Sequence, residues 1–145
     1  MSTLILGLGN PNLKDDSIGI RIVEMLRGKV DADTDFLTTT CFDVIYRILG
    51  YDRVIIVDAI KTGKEPGTIH VLDVDELFVS YKFDGSHSLD LATSIKIGYE
   101  IFGDEMPKDI KIVAVEVEDV DFGYECSEKV KKSVSKVVEI IKSIL

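Results

Sequence analysis

The sequence has little of several features that define whole classes of protein. It has only two cysteines, Cys41 and Cys126, among 145 residues, which is too few for a disulfide framework and typical of reduced residues in a cytosolic protein. It has three prolines and no low-complexity tract or internal repeat. No apolar run approaches the ~20 residues that span a bilayer, and the first residues lack the basic n-region of a signal peptide. We therefore expect a cytoplasmic protein with no membrane contact.

Positive charge is scarce as well. Against 26 Asp and Glu residues stand 17 Lys and Arg, which gives a net charge of −9 and a pI of about 4.7. An acidic surface repels phosphate backbones, so nucleic acid is excluded as the expected partner. What the chain does have is 46% hydrophobic residues. A chain of this length buries roughly 68–70% of its unfolded surface, and we expect one domain over residues 1–145.

Apolar runs typical of strands alternate with segments typical of helices. Strands are predicted at residues 3–8, 33–38, 53–57, 68–73 and 111–115, and helices from residue 15 or 16 to 28, at 43–49, at 88–102 and from 127 onward, while 73–83 fits neither pattern. The connection 61–67 is too short for a crossover helix, so the strand after it is predicted to pair antiparallel at an edge. The order predicts a three-layer α/β/α sandwich with a mostly parallel sheet of about five strands.

Three residues far apart in the chain are predicted to meet at one edge of this sheet. Asp16 follows the first strand, Asp58 ends the apolar run VIIVD, and His87 precedes a helix. In open α/β sheets, sites form outside the carboxyl ends of the strands. Two carboxylates and an imidazole are a plausible ligand set for a divalent metal ion, which requires ionised carboxylates and a neutral histidine.

Each of these residues also has a structural interpretation. Asp15 and Asp16 are placed to cap the helix that follows them. Asp58, at the end of an apolar run, is expected to be partly buried and to need a partner whether or not it is functional. His87 alone is typical of a histidine that is satisfied within a fold. The predicted convergence of these three residues favours a functional site. This prediction depends on the predicted order of strands and helices.

The remaining chemistry-bearing residues are predicted to be structural. His70 alternates within the edge strand TIHVLD. Cys41 and Cys126 have no neighbouring histidine or metal-site spacing in the sequence, so both are interpreted as core or semi-buried residues. The acidic stretch 116–125 is interpreted as a solvated loop, with a basic partner as the alternative.

The glycine turn GLGNPN is not predicted to bind a nucleotide. Gly7 and Gly9 are present, but Asn12 stands where the dinucleotide fingerprint requires its third glycine. The aspartates that follow would repel a pyrophosphate at the helix N-terminus. We therefore expect no nucleotide cofactor.

Four segments together resemble the hydrogenase maturation endopeptidases. GLGNPNLKDDSIGIRIVEML is similar to the opening signature of that family, and VDAIKTGKEPGTIHVLD to its second acidic segment. GSHSLDLATSIKIG resembles its histidine segment, and CSEKVKKSVSKVV its closing helix, with Cys126 in place of a leucine. The resemblance covers nearly the whole chain, and the order of the four segments is more specific than any one of them.

The resemblance implies an enzyme that clips a C-terminal peptide from the nickel-loaded precursor of a nickel–iron hydrogenase large subunit. It implies that Asp16, Asp58 and His87 contact the nickel, which arrives with the substrate rather than as a resident cofactor. Because no Ser-His-Asp or Cys-His arrangement is evident, an aspartic-type mechanism is favoured, in which Asp16 or Asp58 activates a water molecule. We expect a monomer, and the best fit within the family is the branch that serves coenzyme F420-reducing hydrogenases of methanogens.

Two other interpretations remain open from the sequence. Peptidyl-tRNA hydrolases have an opening that resembles LILGLGNP, which would make Asn10 a substrate contact. Their Thr-Arg-His-Asn segment is absent here, however, and a charge of −9 does not suit a tRNA-binding surface. The other alternative is a non-catalytic, metal-dependent maturation chaperone, which would use the same three ligands without cutting its client.

Overall fold

A computed structural model describes residues 2–38, 42–81 and 87–145, without the side chains of residues 80, 81 and 87–90. The strands are β1 (Thr3–Leu8), β2 (Asp33–Leu37), β3 (Arg53–Ile60), β4 (Ile69–Leu72) and β5 (Asp109–Glu116). The helices are α1 (Ile18–Leu26), α2 (Phe42–Ile48), α3 (Val74–Tyr81), α4 (His87–Phe102) and α5 (Glu128–Ile144). A 3-10 turn at Lys14–Ser17 leads into α1. The prediction for Cys41 lies outside the described residues.

The five strands form one sheet in the order β2-β1-β3-β5-β4. The pairs β1–β2, β1–β3 and β3–β5 are parallel, and β4 pairs antiparallel with β5 at the edge. Both predictions, the mostly parallel sheet and the antiparallel edge strand, are therefore confirmed. The eight-residue gap between β3 and β4 explains the edge pairing, because so short a connection turns the chain back rather than across the sheet.

Helices cover both faces of the sheet, as the three-layer prediction requires. One face carries α2, α3 and α4, whose buried residues include Ile45, Leu77 and Ile95. The other face carries α1 and α5, and Val130, Val137 and Ile141 of α5 are buried there. Within the described part of the chain, none of the helices has the length and apolar character that a bilayer span needs.

Glycines allow α1 to press directly on the sheet. A Cβ atom at Gly19 would lie 2.3 Å from the carbonyl oxygen of Val57 and 2.5 Å from that of Leu8. A Cβ atom at Gly9, where φ is +151°, would lie 2.0 Å from the carbonyl oxygen of Asp16. The backbone around Asp16 is thereby held against the ends of β1 and β3.

Two details of the sequence prediction are corrected by the structure. Strand β3 continues to Ile60, so Asp58 lies inside the strand rather than at its end. Glu116, assigned to a solvated loop, is the last residue of β5 and is fully buried. Its carboxylate accepts hydrogen bonds from the backbone N–H of Thr62 at 3.1 Å and from the Thr62 hydroxyl, and its Oε1 is 3.1 Å from Nε2 of His70.

Candidate functional site

The candidate site lies at the carboxyl edge of the sheet, between β1 and β3. After β1 the chain passes through α1 to β2 on one side, and after β3 it continues towards β4 and β5 on the other. Connections that diverge in this way leave a crevice between the two strands, where open α/β sheets bind their ligands. The predicted carboxylates Asp16 and Asp58 belong to these two connections.

Asp58 is a buried carboxyl group near the carboxyl end of a central strand. It shares a face of β3 with Val54 and Ile56, the face that α4 covers, and it is 7% exposed. Burial is the main cause that raises the pKa of Asp58 to about 8, and the negative charge of Asp16 raises this pKa further. The 2.8 Å hydrogen bond from the Ala59 N–H to Oδ1 has the opposite effect and lowers the pKa. Asp58 is therefore mostly protonated at neutral pH when no cation is bound.

Asp16 lies in the 3-10 turn that precedes α1. Its Oδ2 accepts a hydrogen bond of 2.9 Å from the backbone N–H of Asn10, in the glycine turn after β1. The capping interpretation is wrong for this side chain, since neither the 3-10 turn nor α1 has a side-chain cap. Asp16 is close enough to Asp58 for its charge to act on the Asp58 carboxyl. The structure thus brings the two predicted carboxylates together.

The neighbouring Asp15 has a different role, which the sequence analysis missed. Its carboxylate is fully buried and accepts four hydrogen bonds, from the N–H groups of Glu118 and Asp119, both at 2.9 Å, and from the N–H and hydroxyl of Ser127, at 2.6 and 2.8 Å. Ser127 immediately precedes α5, and its hydroxyl donates to Asp15 instead of capping that helix. A negative group at this helix N-terminus is favourable, because the helix dipole is positive there.

The structure describes the position of His87 in the fold but not its side chain. His87 is the first residue of α4. The other end of that helix lies near the start of β5, since the Tyr99 hydroxyl donates a hydrogen bond of 2.6 Å to the carbonyl oxygen of Pro107. Helix α4 therefore begins towards the carboxyl edge of the sheet, where Asp16 and Asp58 lie.

A complete ligand set is not present among the described side chains. The described residues contain no group of three His, Cys, Asp or Glu side chains that could hold a metal ion. The two carboxylates Asp16 and Asp58 supply part of such a set, and the predicted third ligand, His87, lies outside the side chains that the structure describes. The assignment of three metal ligands accordingly stays a prediction.

His70 and Cys126 have structural surroundings, as predicted from the sequence. His70 lies on the edge strand β4 beside the buried Glu116. Cys126 is 6% exposed and its Sγ is 3.7 Å from the hydroxyl oxygen of Ser17. Burial raises the pKa of the Cys126 thiol, which is the opposite of what an activated cysteine nucleophile requires.

The chemistry available at the site is therefore acid–base chemistry of paired carboxyl groups. A buried carboxyl group whose pKa is raised to about 8, beside a second carboxyl group, is suited to general acid–base catalysis. The fold and the site together define a small α/β protein with an aspartate pair at the switch point of its sheet.

The comparisons with known proteins assign the family. The family model for hydrogenase maturation proteases matches residues 20–144. The chain is 33% identical to the hydrogenase 2 maturation protease of Escherichia coli, over 79% of this chain and 73% of that protein. This protein belongs to the hydrogenase maturation protease family and is a peptidase-type hydrolase.

Solved structures agree with this assignment. The hydrogenase maturating endopeptidase HybD from E. coli superposes with a TM-score of 0.86 and 29% identity, covering 100% of this chain and 92% of that one. The [NiFe] hydrogenase maturation protease HybD from Thermococcus kodakarensis superposes with a TM-score of 0.83 and 28% identity, covering 99% of both chains. The assignment agrees with the family resemblance seen in the sequence rather than with the peptidyl-tRNA hydrolase alternative.

Proposed function

We propose that this protein is the endopeptidase that removes a C-terminal peptide from the nickel-loaded precursor of a nickel–iron hydrogenase large subunit. The observation that carries the proposal is the pair formed by the half-buried Asp16 and the buried Asp58 at the switch point of the sheet, towards which α4 begins. Membership of the hydrogenase maturation protease family supports the choice of client.

In this proposal nickel is part of the substrate and is recognised through Asp16, Asp58 and His87. Three protein ligands leave coordination positions for groups of the client itself. Because ligand carboxylates must be ionised, nickel binding displaces the proton that Asp58 holds in the metal-free protein. A precursor without nickel would lack this bridge and would bind weakly, so cleavage would wait until the metal has been inserted.

The proposed cleavage is an aspartic-type hydrolysis. One carboxylate, Asp16 or Asp58, accepts a proton from a water molecule whose oxygen attacks the scissile carbonyl carbon. The C–N bond then breaks, and the proton passes to the departing amine.

The test is a mass measurement on the client. The protein is incubated with a nickel-loaded large-subunit precursor and, separately, with the same precursor lacking nickel. Loss of a C-terminal peptide from the loaded form alone is the expected result. The variants Asp16→Asn, Asp58→Asn and His87→Gln should keep the fold and lose processing, whereas the control Asp104→Asn, at an exposed position before β5, should process normally.

Two outcomes would change the proposal. Normal processing by His87→Gln would remove that residue from the site. Binding of the loaded precursor without cleavage would favour the metal-dependent chaperone instead. A panel of precursors that includes coenzyme F420-reducing hydrogenases tests the predicted branch of the family.

A further inference from the structure

The loop of residues 118–126, between β5 and α5, is anchored to the segment before α1 by hydrogen bonds and an ion pair. Asp15 holds both of its ends through the hydrogen bonds described above. Its middle is held by Gly123, whose N–H donates to the carbonyl oxygen of Asn12 at 2.9 Å and whose carbonyl oxygen accepts from the Lys14 N–H at 3.1 Å. An ion pair of 2.8 Å joins Lys14 to Asp119. We call this segment the anchored loop.

The anchored loop nevertheless presents aromatic side chains to solvent. Phe122 is 87% exposed and Tyr124 is 74% exposed, which makes them the most exposed large apolar residues among those that the structure describes. Exposed aromatic residues on a fixed backbone are typical of binding hot spots, because they bury a large area on docking and little conformational entropy is lost.

Acidic residues surround the two aromatic residues. Glu118 and Asp121 are exposed, whereas Asp119 pairs with Lys14 and the exposed Glu125 lies 3.5 Å from Nζ of Lys131. An apolar centre with an acidic rim is complementary to an apolar pocket flanked by lysine or arginine. The same rim disfavours anionic surfaces such as nucleic acid or acidic lipid.

The anchored loop is also directly connected to the candidate active site. Its anchor, Asp15, is the chain neighbour of Asp16, and both lie in the 3-10 turn before α1. The loop also follows the carboxyl end of β5, which is parallel to β3, so it lies at the same edge of the sheet as the two carboxylates. This places the loop where the body of a large client would contact the enzyme while its C-terminal tail enters the site.

We infer that the anchored loop is the docking surface for the folded body of the client precursor, with Phe122 and Tyr124 inserted into an apolar pocket that basic residues flank. This inference rests on the proposed function for the identity of the client. It adds a contact away from the cleaved bond, which selects the client by its surface as well as by its nickel.

The first test compares the double variant Phe122→Ala/Tyr124→Ala with Tyr46→Ala, an exposed tyrosine on α2, 64% exposed, as the matched control. With the nickel-loaded precursor as substrate, the double variant should raise KM about tenfold or more at unchanged kcat, while the control stays at the wild-type value. Thermal unfolding checks that both variants keep the fold.

The second test measures binding independently of cleavage. All chains keep the wild-type site, and the client is a nickel-loaded precursor made uncleavable at its scissile peptide bond, whose dissociation constant is measured at low and high salt. Asp121→Lys should weaken binding most at low salt, because salt screens exposed charges. Glu139→Lys, the same charge reversal at an exposed position of α5, should have little effect.

The outcomes separate the docking surface from the proposed activity. Equal KM and equal dissociation constants for the double variant and the parent would overturn the docking surface and leave the endopeptidase intact. Binding that is lost in the double variant, with no cleavage by the wild type, would support the docking surface and overturn the endopeptidase. A wild-type chain that does not bind the precursor, or a double variant that differs only in self-association, would also overturn the docking surface.

Discussion

Asp58 combines a buried position with an ionisable side chain, and this has a measurable effect on stability. The pKa of Asp58 is about 8 in the folded chain against 3.8 for the free group. Between these values the folded state holds a proton that the unfolded state has lost, so raising the pH costs stability. The stability that the protonated Asp58 contributes is fully lost once the pH passes the pKa of the folded state.

We predict that the metal-free Asp58→Asn variant is more stable than the wild type at pH 8, and that the difference shrinks as the pH falls towards 4. The difference should change by up to about 1.4 kcal/mol per pH unit in this window. Urea unfolding of both proteins from pH 4 to 8.5 measures it, with Asp104→Asn as an exposed control. Parallel stability curves for the wild type and Asp58→Asn would show that Asp58 is ionised in the folded protein.

Individual residues also show how far the sequence could lead. Asp16 and Asp58 could be found because each follows an apolar run that ends at the carboxyl edge of a parallel sheet. Asp15 and Glu116 could not, because their roles depend on partners distant in the chain: Asp15 binds a loop more than 100 positions away, and Glu116 binds the turn after β3. From the sequence alone, Asp15 was assigned to helix capping and Glu116 to a solvated loop.

At the scale of elements, the contact between α1 and the sheet sets the position of the site. Gly19 lies where a Cβ would meet two carbonyl oxygens, on Val57 and Leu8. Both are backbone atoms of strands, so they cannot move aside as a side chain would. A larger residue at this position has to push α1, and the 3-10 turn that carries Asp16, away from the sheet.

We therefore predict that Gly19→Ala destabilises the fold by about 1–3 kcal/mol or more and lowers processing beyond what the stability loss explains. Denaturant unfolding and the cleavage assay at a temperature where the variant stays folded measure the two effects. Glu24→Ala, at an exposed position of the same helix, is the control. Wild-type activity in a folded Gly19→Ala chain would mean that the site tolerates a shift of α1.

The elements themselves were largely predictable from local patterns. All five strands were predicted from local patterns, of which that of β2 is the weakest, and the short connection after β3 identified the antiparallel edge. Residues 73–83 fitted no pattern, although 74–81 form α3, because this helix buries Leu77 but leaves Val79 exposed. The extension of β3 beyond Asp58 was missed because a carboxylate inside a buried strand is rare without its tertiary context.

At the scale of the whole molecule, the net charge of −9 opposes self-association. We predict a monomer, and sedimentation equilibrium should give a mass of 16.1 kDa at both low and moderate salt. A mass twice as large that persists at low salt, where repulsion is strongest, would contradict the prediction.

The anchor of the loop also bears on how members of such a family come to serve different clients. The Asp15 carboxylate accepts hydrogen bonds from the main-chain N–H groups of Glu118 and Asp119 and not from their side chains. Side chains of the loop that take no part in the anchoring, such as those of Phe122 and Tyr124, can therefore vary while the backbone that presents them, and the adjoining Asp16, stay in place. If the anchored loop docks the client as proposed, new client preference can arise here by exchange of side chains alone, without any change to Asp16 or Asp58.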